Sequence, residues 1–367
     1  MPKFGATIRI EDEDAADLFL SLIEMTIEED HRMAAMFRIK LGMQRQSDGL
    51  WEFLDDERVK SWKKVVIAVS VDDEETELIT GYITQIKPHF DSDESNCHLE
   101  IYGLDGSSLM SLEEKIKDWP NKSDSDIASE VFGNYNLTPE IEETAIVYDE
   151  AVATIIQRET DIQFLKRLAR RNGYECFVKG ETGYFRKPVL DATPLPVLAA
   201  HFGAESNLVS FDARLNALRP MTVEMRQLDT IGKEIQESVA ESNEQRMFGR
   251  DGALSTAPPN GLTSRLFVRH AAASGQPEME NICRAIFDEA EWLIEADGEV
   301  ESSIYGAVLQ VGLPAPIKGV GAAFSGMYYI TNVRHVFTAE DYRQHFKARR
   351  NALAPVDGDF SGGDPLP

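Results

Sequence analysis

Hydrophobic and polar positions alternate through most of the first hundred residues. Phe4, Ala6, Ile8 and Ile10 are separated by polar or small residues, the period of a strand with one buried face. Residues 22–27 and 34–41 read as a strand pair around the turn EEDHR, and 65–71, 78–87 and 97–102 as three more period-two runs. The acidic stretches DDEE (72–75) and DSDESN (91–96) separate them as polar turns. Five or six short antiparallel strands joined this way predict a small barrel or sandwich rather than a parallel α/β sheet. A less regular insert over 43–63, carrying Trp51, Phe53 and Trp62, is expected to cover one open end.

The period changes over 111–173. A short helix is predicted from Ser125 to Gly133, and a second from Asp161, read as its N-cap. Phe164, Leu165, Leu168 and Ala169 form the apolar stripe of the second helix. Lys166, Arg167, Arg170 and Arg171 lie toward its C-terminal end, where the helix dipole favours cations, and Gly173 suits the left-handed position that ends it. These four cations are read as a solvated face, since no wider basic field surrounds them. Residues 174–177 and 183–186 read as a small hairpin.

Beyond residue 200 the chain returns to strand patterns at 208–211 and 222–226. Residues 237–264 are polar and rich in Gly and Pro, as expected of a long surface loop. A helix is predicted over 279–296, ended by Gly298, then an apolar strand over 303–311. The segment GMYYITNVRHVFTAEDYRQHFKARRN, 326–351, reads as a closing hairpin, and the residues after it as a flexible tail. The chain divides into 1–110, 111–200, 201–352 and a tail over 353–367: two strand-rich parts with a helical and mixed part between them.

Charge narrows the function. With 37 Lys and Arg against 63 Asp and Glu, the net charge is −26, which disfavours a specific nucleic-acid grip and docking on anionic lipid. No apolar run reaches a membrane span's length, and the N-terminus MPKFGATIRIEDED lacks the pattern of a signal peptide, so synthesis in the cytoplasm is expected. The three cysteines, Cys97, Cys176 and Cys283, match no zinc or redox spacing.

Catalytic signatures are missing. The chain has no phosphate-binding G-x-x-x-x-G-K-S/T motif, no H-E-x-x-H and no G-x-S-x-G. Gly319 and Gly321 precede a strand and read as turn glycines. The histidines, at 31, 89, 98, 201, 270, 335 and 345, show no metal-ligand spacing, although His335 and His345 are candidates for a cross-strand contact. Glu159 and Asp161 are too close in sequence to flank a cleft as acid and base, so they read as a structural residue and a cap. No catalytic residue, metal or cofactor is expected. Arg343, His345, Lys347 and Arg349 occupy alternate positions and so share one strand face. That face is either solvated and paired with the chain's own acids, or a charged seam against an acidic neighbouring subunit. Arg343, Lys347 and Arg349 are therefore the candidate subunit-interface residues.

Two blocks carry a family likeness: QRETDIQFLKRLARRNGYECF (157–177) and the closing G-x-Y-Y-I-T-x-V-x-H-x-F followed by F-x-A-R-R-N. With GYITQI (81–86), YGLDGSSL (102–109) and LVSFDARL (208–215), in this order, the chain resembles the phage late control protein D family. That family includes the hub portion of VgrG-type spike proteins and is similar to the T4 baseplate hub. The resemblance implies a mainly β fold with α+β insertions, built as two barrel-like tube domains and a small helical or mixed region. It also implies a homotrimeric, non-enzymatic baseplate hub that joins a six-fold inner tube to a three-fold spike in a contractile injection system or phage tail. Inner tube protein above, a separate spike protein below and wedge proteins around it are the implied partners, with assembly into the particle and release with it. A cell-wall hydrolase, or a carbohydrate- or receptor-binding module carried by such a particle, is the alternative.

Overall fold

The computed structural model describes residues 4–353, apart from 73, 152, 230–231, 243, 251, 253–261 and 340. The predicted tail from residue 354 onward, and a large part of the predicted 237–264 loop, lie outside the described residues.

The N-terminal strands follow the period-two pattern. They are β1 (Phe4–Ile10), β2 (Glu13–Asp14), β3 (Leu22–Asp30), β4 (Met36–Gly42), β5 (Lys64–Val71), β6 (Glu74–His89) and β7 (His98–Asp105). In β3, Met25 and Ile27 point inward, register with Ile39 and Phe37 of β4, and join one core with Leu99, Ile101 and Ile67. The intervening Glu24, Thr26 and Glu28 face outward, as pleat geometry requires.

The middle of the chain holds β8 (Glu114–Trp119), β9 (Lys122–Ser123), α1 (Asp124–Gly133), β10 (Thr138–Ile141), β11 (Val147–Tyr148), β12 (Ile155–Thr160), α2 (Asp161–Asn172), β13 (Glu175–Lys179) and β14 (Thr182–Arg186). Ser123 starts α1 through a reciprocal capping box with Asp126. The apolar stripe of α2 is buried as expected, and Gly173 ends the helix at φ 67°. Asp161 is not the cap: Thr160 occupies that position, and Asp161 begins the helix. Its buried carboxylate accepts from Lys115 (2.5 Å), Tyr135 (2.7 Å) and Gln157 (2.7 Å), so three partners outside the helix claim it instead. Glu159 pairs with Arg167 at 2.7 Å. Arg171 departs from the solvated face expected of its cluster, because it turns inward to Asp124 and Glu278.

The last part contains β15 (Leu198–Ala199), β16 (Leu208–Leu215), β17 (Thr222–Leu228), β18 (Ile235–Ala240), β19 (Arg265–Val268), α3 (Gln276–Ala290), β20 (Ile294–Glu301), α4 (Ser302–Tyr305), β21 (Pro314–Lys318), β22 (Gly326–Phe337) and β23 (Tyr342–Arg350). Residues 237–240, expected in a loop, belong to β18, and residues 303–305, expected to begin a strand over 303–311, lie in the helical turn Ser302–Tyr305, closed by Gly306 at φ 66°. The predicted helix over 279–296 runs too far. Residues 294–296 belong to β20, and Gly298 lies inside that strand rather than ending a helix. A Cβ on Gly298 would meet the Ser210 carbonyl oxygen at 2.7 Å and the Phe346 ring at 2.9 Å, so close strand packing explains this glycine.

The expected pair of barrel-like domains is corrected by the sheet topology. Strands from both ends of the chain share one open, 13-stranded sheet ordered β16-β20-β23-β22-β3-β4-β7-β6-β5-β1-β2, with β21 and β15 attached beside β22. Among the described residues neither half closes on itself. The decisive junction is antiparallel pairing of β22 with β3, from Asn332↔Asp30 to Phe337↔Met25. Period-two patterning reports which face of a strand is buried, not which strand lies beside it. The near-continuous burial of β22 is that of a central strand flanked on both sides.

Side-chain contacts draw the middle region onto this junction. Lys166 of α2 donates to the Arg32 carbonyl (2.7 Å), Arg32 pairs with Glu289 of α3 (2.5 Å), and Tyr329 of β22 donates to the Glu175 carboxylate (2.9 Å). His31 donates from Nδ1 to the Thr331 carbonyl at 3.0 Å. Burial, then the neighbouring Arg349 and Arg32 charges, push its imidazole down to about 4.

Two outcomes follow. Between the ordinary imidazole value near 6.5 and about 4, the unfolded chain holds a proton on His31 that the folded chain excludes, so stability falls as pH drops through that window. Denaturant unfolding at pH 7 and pH 4.5 should show that His31→Gln removes about 2 kcal/mol of the acid-induced loss; an identical loss in both proteins would refute the assignment. Gly298→Ala should lower stability by about 2–3 kcal/mol through overpacking, measured as a fall in denaturation midpoint.

Candidate functional site

The basic strand β23 lies between β20 and β22, and its register sets acids directly across from it. Arg343 faces Glu301, His345 faces Glu299, Lys347 faces Asp297 and Arg349 faces Glu295. Because the period is two, these residues share one face of the sheet, while Tyr342, Gln344, Phe346 and Ala348 point into the interior.

The four basic residues nevertheless occupy different environments. Arg343 is exposed and pairs with Asp341 (2.6 Å) and Glu299 (3.1 Å). His345 is half-buried 3.9 Å from Glu299, and burial followed by the Arg334 charge holds its imidazole below the ordinary value. Lys347 is exposed and makes no ion pair within 4 Å among the described residues. Arg349 is only 8% exposed. It lies over the Trp292 ring at 4.2 Å and pairs with Glu289 at 3.0 Å.

The burial of Arg349 follows from the chain's path. Helix α3 delivers Glu289 near its last turn, and Trp292 follows in the short link to β20. Both pack over the end of β23, where Arg349 also registers with Tyr329. Glu289 then sits between Arg349 and Arg32. Burial opposes its ionisation, but the two guanidinium groups outweigh that and hold its carboxyl below the usual range. Sequence reading missed Arg32, Glu289 and Trp292. Trp292, an aromatic just past a helical pattern, carried a usable signal; nothing local marked Arg32 as the partner of a residue 257 positions away.

The remaining expectations resolve simply. His335 and His345 do not meet. His335 registers with Gln344 and is fully buried, bonded to the Tyr342 hydroxyl at 2.8 Å, whereas His345 registers with Arg334 on the opposite face. Cys97, Cys176 and Cys283 are free and buried. Among the described residues no group of three or more His, Cys, Asp or Glu is placed to hold a metal ion. Fixed charge held in register, rather than bond-making chemistry, characterises this face.

The fold has solved counterparts. A 43 kDa tail protein of prophage MuSo2 from Shewanella oneidensis superposes with a TM-score of 0.66 at 13% identity, over 95% of this chain and 99% of that one. A tail protein from Neisseria meningitidis gives 0.67 at 13% identity, over 96% and 98%. The E. coli c3393 protein, a type VI secretion component described as structurally similar to the T4 tail proteins gp27 and gp5, gives 0.54 at 12% identity, over 96% and 79%. At these identities the likeness establishes a shared fold. No curated protein sequence matches the chain. The family described as the Alg8 N-terminal domain matches residues 6–339, nearly the whole described chain, and the chain belongs to that family.

Proposed function

We propose that this protein is a structural baseplate hub of a contractile injection system or phage tail. In this reading it assembles as a homotrimer that adapts a six-fold inner tube to a three-fold spike, and baseplate wedge proteins surround it. It is made in the cytoplasm and carried in the particle, and it performs no reaction. The observation that carries the reading is the near-full-length fold shared with prophage and bacterial tail proteins.

The sheet supports an assembling role independently. It is open, with β16 at one end and β1 and β2 at the other, and among the described residues β16 pairs only with β20. Exposed strand edges carry unpaired backbone donors and acceptors, which a neighbouring subunit can satisfy. Next to β16, the exposed charges of β20 and β23 supply a pattern able to set register and partner choice.

Electron microscopy of particles containing the protein, with the mass of the purified chain as a companion measurement, tests this reading. A three-fold ring between tube and spike is expected; exclusion from assembled particles, or lysis of peptidoglycan by the purified chain, defeats it. The charge variants separate assembly from folding. Lys347→Glu should leave stability within about 1 kcal/mol of the parent while impairing ring formation, since the exposed lysine has no ion pair within 4 Å among the described residues and the new acid would only face Asp297 across the strands. Arg349→Glu should cost about 3 kcal/mol, seen as a lowered melting temperature of the isolated chain, because it places an acid beside Glu289 under Trp292. Normal rings from Lys347→Glu would return that residue to a solvated role.

A further inference from the structure

Two loops at one end of the N-terminal strands build a ledge that the assembly reading leaves unused. One is the irregular stretch after β4; the other is the turn between β6 and β7. Met43 donates its backbone N–H to the Cys97 carbonyl (3.1 Å), and the Arg45 N–H donates to Glu94 (2.7 Å), so the loops are tied together. The Trp51 ring packs against the core on one side and meets Phe90 edge-on at a centroid distance of 5.0 Å. Phe90 is 53% exposed and Leu50, beside Trp51, is 51% exposed. The aromatic edge thus rests on Trp51 with its apolar surface in water.

Most of the charged groups around it are acids. Asp48 accepts from the Leu50 N–H (3.0 Å), Asp55 from Trp51 (2.8 Å), Asp91 from Asp93 (2.9 Å), and Asp93 from Ser95 (3.0 Å). Each of these carboxylates is exposed and accepts from a backbone N–H, and neither they nor Glu94 have a Lys or Arg side-chain ion pair within 4 Å among the described residues. Hydrogen bonding from Asp93 holds the Asp91 carboxyl below its ordinary value, and bonding from Ser95 does the same for Asp93. Arg45 is the cation nearest in the chain, and its guanidinium turns to the Gly49 carbonyl instead. The His89 and His98 rings meet across the strands, tilted by 32° at a centroid distance of 4.6 Å, and His98 Nδ1 faces the Asn96 carbonyl at 3.0 Å.

We propose that this ledge docks a segment of a different protein that presents a lysine or arginine beside an apolar side chain. The apolar group would cover Phe90 and Leu50, and the cation would meet the carboxylates of the 91–94 turn. Charge complementarity selects this occupant. The rim repels nucleic acid, anionic lipid and acidic peptides, and the exposed aromatic with satisfied, preordered acids resembles the anchor and rim of a protein interface.

The probe is a labelled synthetic peptide of lysine, leucine and phenylalanine, with an all-lysine peptide and a glutamate-for-lysine peptide of the same length as comparisons, followed by fluorescence anisotropy. The mixed peptide should bind the full chain more tightly than all-lysine, and the glutamate form should not bind. Phe90→Ser should weaken the mixed peptide about tenfold without weakening all-lysine equally. Asp91→Asn combined with Asp93→Asn retains the backbone-accepting oxygens, and should weaken both lysine peptides and flatten their salt dependence. Unchanged binding in both variants would overturn the proposal. So would binding of a neutral chitooligosaccharide at the ledge in place of the peptide, or self-association abolished by Phe90→Ser, which would assign the ledge to a glycan or to a second copy.

Discussion

The antiparallel seam between β3 and β22 is the constraint on which the rest of the molecule depends. It joins residues about 300 positions apart, and its register is held from the inside. His335 lies fully buried between the Tyr342 hydroxyl at 2.8 Å and Glu29 at 3.7 Å, and Lys179 reaches from β13 to the same Glu29 at 3.2 Å. Burial raises the cost of the Glu29 charge; Lys179 and His335 more than offset it, leaving the carboxyl below its usual range. A slip of one residue would turn Ile27 and Met25 outward and strand that carboxylate without its partners. The seam therefore fixes the sheet order and the position of the middle region together. Contacts so distant in sequence also close late and slowly in folding.

Cations are scarce on this acidic chain, and several are spent inside it. Arg350 is fully buried and donates to the backbone carbonyls of Phe248 (3.2 Å) and Ser325 (2.7 Å). Gly326 makes room for it, since a Cβ there would meet the guanidinium at 2.5 Å. Arg171 joins α2 to Asp124 and to Glu278 of α3, and Arg349 closes the sheet end under Trp292. The basic run KARR at the end of β23 thus divides: Lys347 is exposed, while the two arginines act as internal clamps.

Much of this was legible in the sequence wherever a local pattern decides the outcome. Alternation placed β1 and β3 through β7, the stripe of Phe164, Leu165 and Leu168 placed α2, and Gly173 marked its end. One failure had a local signal against it: Ile294–Glu301 alternates, with Glu295, Asp297, Glu299 and Glu301 at every second position, yet the phase of α3 was carried through it. What else failed depended on distance. Distance misled the barrel expectation, because β3 and β22 each looked like members of separate sheets. At the candidate site, the shared face of Arg343, Lys347 and Arg349 was legible from spacing, but the burial of Arg349 depends on Glu289 and Trp292 from another element.

The edge of the sheet at β16 is guarded by like charges. On β16, Asp212 stands directly across from Asp297 of β20, and Lys347 of β23 stands on the other side of Asp297. Like charges facing each other across strands destabilise a pair by roughly 0.2–1 kcal/mol. Placed at an edge, they also discourage an apolar strand from adding there without a cation to offer. The neighbouring Arg214 is already engaged by Glu295. The edge therefore rejects indiscriminate pairing while leaving Asp212, Asp297 and Lys347 free to prefer a partner of matching charge pattern. On the proposed hub reading, the same few residues would both keep a chain of net charge −26 from pairing indiscriminately and select its neighbour.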